Sequence, residues 1–320
     1  MARSNALTAI LLAVGGTAVF SINDVAVKFL SGGYALHQIV LIRALIGLVF
    51  LFVVIGVSGT GLRQLVTTRP WDHLLRVSIV MLSNLTFFVG LNSMPLADGV
   101  AVAYISPITT TLLSVLLLHE SVGPRRWAAV MVGMIGVLVM VRPGAGVIQP
   151  AALLVLFSAV LYGCGNLMTR RMRDTESAMA LSFYVLVGFI VLSVAMGIWA
   201  GDGHLASEDP LWGLLFRPWI WPAAADWPVF LATGLAVTSG GLMIAQAYRK
   251  GEVGLVAPFE YVGMPMAVLW GMLVFGTFPD LTAWVGIALI CGSGLYVIWR
   301  ETRKSRSPVV LSDDPPVKGP

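Results

Sequence analysis

The sequence predicts an all-α integral membrane protein of ten transmembrane helices, arranged as two inverted five-helix repeats. Three observations carry this: apolar runs of membrane-spanning length, a one-sided distribution of Lys and Arg, and an internal duplication. Hydrophobic residues make up 58% of the 320-residue chain and charged residues only 11%, whereas a soluble domain carries about 25% charged residues. The net charge of +4 is not a nucleic-acid signature, because most basic residues stand in short links between apolar runs. The lipid bilayer is the expected surrounding, and nucleic acid is not an expected partner.

Windows bounded by charges or by Gly, Pro and Asn place the ten helices at 7–29, 35–57, 75–94, 98–119, 125–142, 150–170, 178–200, 228–248, 253–276 and 282–300. Each approaches the ~20 residues that cross a ~30 Å hydrocarbon core. The first run is too long for a signal-peptide core and lacks a small-residue cleavage site, so it is expected to be retained as a span. Residues 1–6 then form a cytoplasmic N-terminus, 7–142 a first repeat, 150–300 a second, inverted repeat, and 301–320 a polar, disordered cytoplasmic tail. Sixteen of the 20 Lys and Arg residues fall on one side of this layout. Lys28, Arg142 and Arg217 fall on the other, and Arg43 lies within the membrane. The positive-inside rule makes both termini cytoplasmic in a multi-pass inner (plasma) membrane protein. The long loop 201–227 falls outside and holds Trp212, Trp219, Trp221 and Trp227, expected as an interfacial belt or a helix lying on the membrane.

The duplication is visible in two hairpins, 98–142 and 252–300. Asp98 and Glu252 open them, Pro107 or Pro258 and Pro265 interrupt the first helix, and Trp127 or Trp284 opens the second. Gly136 and Arg142 recur as Gly294 and Arg300. A unit of five helices is odd, so its second copy enters the membrane from the opposite side. Matching proline-interrupted helices in inverted repeats point to a transporter with its site near the midplane.

These residues resemble the drug/metabolite transporter superfamily, and within it the EamA-type ten-helix carriers. The likeness lies in AVAYISPITTTLLSVLLLHE in the first copy and GLVAPFEYVGMPMAVLWGMLVFG in the second. Thr277 departs from the pattern, standing where the second copy commonly has a glutamate. SINDVAVKFL and QIVLIRALIGL are similar to the subset that includes bacterial S-adenosylmethionine and riboflavin transporters. The resemblance implies a substrate cavity between the repeats, alternating access, and a small polar metabolite that is amino-acid-like, S-adenosylmethionine-like or riboflavin-like.

Polar groups within the spans are the candidate site. Glu260 sits about 10 Å inside its helix at helical rise, with Val256 and Met264 at its i−4 and i+4 positions and so no local partner; a substrate-binding or proton-coupling role follows. Tyr261, Asn84, Tyr104, Asn166 and Gln246 are expected to line a substrate pocket with it, or to form interhelical hydrogen bonds. Asp24 and Lys28, an i,i+4 pair, and Arg43 form either a structural network or a gate. Glu120 is expected to anchor a helix end near Arg125 and Arg126, and Cys164 and Cys291 to be inert packing residues. No cofactor, metal site or catalytic residue is expected, and no nucleotide-binding loop or metalloprotease motif occurs. A homodimer is compatible with this layout. An intramembrane enzyme acting on a lipid-linked substrate is the alternative, and it needs acidic or His residues clustered at one interface. Asp72, His73, His37, His119 and His204 are its scattered candidates.

Overall fold

The computed structural model describes residues 2–94, 96–120, 122–141, 150–209, 212–276, 278, 281–282, 284–286, 288–289, 292–293 and 296. Arg142, Thr277, Cys291, Gly294, Arg300 and the tail 301–320 lie outside the described residues, as do the side chains of Arg3, Asp98 and Arg126. The described chain is helical: α1 (Ala2–Leu30), α2 (Leu36–Ser58), α3 (Pro70–Asn92), α4 (Leu96–Ala103), α5 (Ser106–Leu118), α6 (Pro124–Val141), α7 (Pro150–Arg171), α8 (Ala178–Ala200), α9 (Gly213–Phe216), α10 (Trp227–Lys250), α11 (Val253–Val256) and α12 (Gly263–Phe275). Among the described residues, 7 segments are long and apolar enough to cross a membrane.

Local chemistry sets the helix ends. Pro70 lies in the first turn of α3, where an N–H has no helical acceptor to lose. α2 stops at Gly59, whose φ of 65° is the left-handed cap that glycine adopts without a Cβ penalty. The Ser177 hydroxyl accepts from the Ala180 amide at 2.9 Å and starts α8.

Two of the expected spans are broken. Pro107 cannot donate to the carbonyl of Ala103, and its ring crowds that turn, so α4 ends there and α5 begins at Ser106, after a break of two residues. Pro258 and Pro265 act in the same way, and a 3₁₀ segment, Ala257–Val262, joins α11 to α12. The span placed at 75–94 starts at Pro70 instead. His73, which precedes the expected span, and Arg76, at its start, are both buried within α3.

α1 packs most extensively on α10, α3 on α7, and α2 on α8 and α10. Small residues permit the first of these, because a Cβ on Gly240 would stand 3.2 Å from the Gly16 carbonyl oxygen. Large apolar side chains such as Val57, Ile198 and Leu273 remain exposed on the outside of the bundle, as lipid contact requires.

Polar contacts define two ends. At the end holding the start of α1, Glu120 after α5 meets Arg170 of α7 at 3.3 Å and accepts from the amides of Val253 and Gly254 at 2.8 and 3.4 Å. These partners hold that helix end. Also there, His73 pairs with Glu176 at 3.0 Å and Thr67 donates to the same carboxylate at 2.7 Å. At the opposite end, the loop after α8 folds over the link between α1 and α2. Arg217 Nη1 donates to the Ser31 carbonyl at 2.7 Å, the Tyr34 hydroxyl donates to Asp226, and Gln38 donates to the Ile220 carbonyl. Trp219 stacks on His37 with centroids 5.6 Å apart and helps anchor this cap, and Trp212, Trp219, Trp221 and Trp227 all remain exposed.

Candidate functional site

A cavity of about 260 Å³ lies in the middle of the bundle and extends toward the start of α3. Helical periodicity aims its polar wall. Thr17, Ser21 and Asp24 share one face of α1; Arg76, Ser83 and Asn84 share one face of α3; Tyr162, Asn166 and Thr169 share one face of α7. Thr238 of α10, Tyr104 at the break between α4 and α5, and Glu260 of the 3₁₀ segment complete it. Asn166 lies beside the hydroxyls of Tyr162 and Tyr248, and Thr238 Oγ1 has no hydrogen-bond partner among the described residues.

Glu260 is not isolated. The Tyr248 hydroxyl donates to its Oε1, and Tyr162 lies beside the same carboxylate. Tyr248 precedes it by twelve residues on a neighbouring helix, beyond any i±4 search. The second carboxylate, Asp24, accepts from Asn23 Nδ2 at 3.1 Å. Asn23 Oδ1 in turn accepts from Arg43 Nη1 at 3.0 Å and Thr233 Oγ1 at 2.6 Å, and Arg43 Nη2 donates to Asn84 Oδ1 at 2.6 Å. The Arg43 guanidinium is fully buried, 5.4 Å from the ring centres of Phe88 and Phe189. It lies behind the cavity wall and orients the two asparagines that form part of it.

Lys28 does not pair with Asp24 as the i,i+4 spacing suggested. Its Nζ donates to the carbonyls of Leu91, Asn92 and Met94 at 2.7, 3.2 and 2.9 Å, closing the C-terminal end of α3. The three carbonyls at that helix end give each ammonium proton an acceptor.

Four of the six expected substrate residues line the cavity: Glu260, Asn84, Tyr104 and Asn166. Tyr261 points away, its hydroxyl toward the Val130 carbonyl at 3.4 Å and its ring 5.7 Å from that of Tyr104. Gln246 accepts from Arg249 at 2.8 Å, outside the wall. Tyr162, Asn23, Thr169, Thr238 and above all Arg76 are wall residues the sequence reading did not select. The spacing 76, 80, 83, 84, 87 was the available signal for α3. Among the described residues no three His, Cys, Asp or Glu side chains group as metal ligands, and Asp72, His73, His37, His119 and His204 share no site.

Residues 7–142 match the model of the EamA-like transporter family. Over 262 residues the chain is 30% identical to a riboflavin transporter of Rhizobium johnstonii, covering 82% of this chain and 81% of that one. The chain belongs to the EamA-like transporter family. This EamA-like transporter is also 29% identical to a riboflavin transporter of Vibrio cholerae, over 77% of its own length and 78% of the relative's. It is 23% identical to an S-adenosylmethionine uptake transporter of Rickettsia prowazekii, over 90% and 91% of the two chains. A crystal structure with 21% identity shares its fold, with a TM-score of 0.70 over 96% of this chain and 99% of that one. The EamA-like chain is thus a multi-pass membrane transporter.

Proposed function

We propose that this EamA-like transporter is a secondary carrier that moves a small polar metabolite across the inner membrane by alternating access, and that the central cavity is its substrate site. The observation that carries the reading is the cavity itself: two carboxylates, Asp24 and Glu260, stand in the wall of a space of about 260 Å³ deep in the bundle. Such intramembrane ionisable groups mark solute pathways.

The reading includes ten spans as two inverted repeats, 7–142 and 150–300, with both termini and the tail 301–320 cytoplasmic. Helix packing supports the repeat. Exchanging halves turns α1 into α7 and α3 into α10, and the pairs α1 with α10 and α3 with α7 exchange with each other. The two proline-broken segments, around Pro107 and Pro258, exchange as well, and each packs on the first helix of the other half. Rocking of one half against the other then exposes the cavity to each side in turn. Asp24, Glu260, Asn84, Tyr104 and Asn166 contact the solute, and Arg43 holds their frame. The solute types named for the relatives, riboflavin and S-adenosylmethionine, are the first to test.

The experiment is uptake of each labelled solute into proteoliposomes holding the purified chain. Glu260→Gln is expected to reduce uptake by at least about tenfold, the effect of one lost interaction of ~1.4 kcal/mol. Wild-type uptake by this variant at every pH would remove Glu260 from the site.

A further inference from the structure

We infer that Arg76 is the anion-binding end of the cavity, and that the carried molecule bears a carboxylate or phosphate that docks there. This rests on the carrier reading above and names its substrate class. Arg76 is only 8% exposed and belongs to the cavity wall. Its Nε donates to Thr169 Oγ1 at 2.9 Å and its Nη1 to the Leu181 carbonyl at 3.0 Å. Both acceptors are neutral.

Among the described residues no carboxylate pairs with it. The acids near the same end are engaged elsewhere, Asp72 with Arg69 at 3.5 Å and Glu176 with His73 at 3.0 Å. Among the described residues its hydrogen bonds are these two, from Nε and Nη1, and the residue opens on the cavity. A guanidinium withdrawn from water without a counter-ion costs several kcal/mol, and its planar fork matches a carboxylate or phosphate. Arg43 is the contrast. It is just as buried, but it is enclosed by two asparagines and two phenylalanine rings, with Asp24 close by, and it lies outside the cavity wall. Arg43 Nε also lacks an acceptor, so the difference between the two is that Arg43 has a carboxylate, Asp24, close by and Arg76 has none among the described residues.

The rest of the wall places the other end of the ligand. On α7, Thr169 beside Arg76 and Tyr162 beside Glu260 are about 10 Å apart at helical rise. On α3, Arg76 and Asn84 are separated by about 12 Å. Phe87, Phe189 and Tyr104 stand in the wall with these polar groups and offer flat apolar faces. The complementary molecule has an anion at one end, a cationic or donor-rich group about 10 Å away, and an unsaturated body. Of the solute types named for the relatives, the sulfonium amino acid carries such an anion and unphosphorylated riboflavin does not.

Two matched pairs test this with the purified full-length chain, by thermal-shift titration and by proteoliposome uptake: S-adenosylmethionine against its decarboxylated form, and riboflavin 5′-phosphate against riboflavin. In at least one pair the anion-bearing member is expected to bind about tenfold tighter or more. Arg76→Gln should bring that ratio close to one, and Arg76→Lys should retain part of it. A purely structural role for Arg76 would weaken both members alike and leave the ratio unchanged, which overturns the proposal. Where Arg76→Gln fails to fold, the wild-type pairs decide alone, since equal binding within both pairs overturns it. Equal transport within the pairs sinks the role of Arg76 and leaves the carrier reading standing, whereas no transport of any of the four solutes counts against both.

Discussion

Replacing Glu120 with alanine tests the contact that ties the end of α5 to α7 and to the segment carrying Glu260. Its carboxylate accepts from the Val253 and Gly254 amides at 2.8 and 3.4 Å and meets Arg170 Nε at 3.3 Å, with both side chains 12% exposed. Loss of a side-chain acceptor at a helix start costs about 1 kcal/mol. The negative charge at that N-terminus contributes about 0.3–1 kcal/mol, and an ion pair of this partial exposure adds up to about 1 kcal/mol. Glu120→Ala is therefore expected to cost about 1.3–3 kcal/mol. Glu120→Gln keeps an acceptor for the amides and loses the charge, so it should cost about half as much. Thermal unfolding of the purified chain in one detergent, read by intrinsic tryptophan fluorescence, should place the midpoints in the order wild type, Gln, Ala. An alanine variant that melts with the wild type, or a glutamine variant as unstable as alanine, would refute the assignment of this contact as a helix cap.

Lys28→Met should destabilise the chain by about 2–4 kcal/mol, because three carbonyls lose a donor and interhelical bonds in membranes are worth about 0.6–1.7 kcal/mol each. The same melting assay applied to Lys28→Met, Asp24→Asn and the double variant should give additive effects within about 0.5 kcal/mol, and strong coupling would restore the i,i+4 pair. Gly240→Val should push α10 off α1 at a cost of about 1–3 kcal/mol, since even a Cβ there stands 3.2 Å from the Gly16 carbonyl. Wild-type melting of this variant would show that the helices separate freely.

The bundle was legible because its determinants are local: apolar runs of spanning length, and prolines whose missing N–H groups break helices wherever they stand. The cavity wall was legible where polar residues interrupted an apolar window, as Glu260, Asp24 and Asn84 do. It was not legible where the same charge carried two meanings. Arg76 stands at the start of the expected span and counts among the basic residues of one side, yet α3 starts six residues earlier and turns it inward to Thr169. Partners from other helices were equally hidden. Lys28 reaches carbonyls more than 60 positions away, and Tyr248 reaches Glu260 only because the chain reverses between α10 and α11. Gln246 failed for the opposite reason, because a nearby Arg249 captures it before any cavity can.

The enclosure of Arg43 constrains the order in which the protein can be assembled. A lone guanidinium near the centre of a helix entering the bilayer costs about 2.5–3.5 kcal/mol. α1 precedes it and offers Asn23 at once, so the first two helices can enter as a pair with that cost partly offset. Asn84 arrives with the next helix. Phe189, however, is on α8, and Thr233, which fixes Asn23 from α10, is 210 residues from it in sequence. A nascent first half therefore carries an incompletely housed cation until the second half closes over it, and this makes Arg43 a checkpoint for joining the two halves.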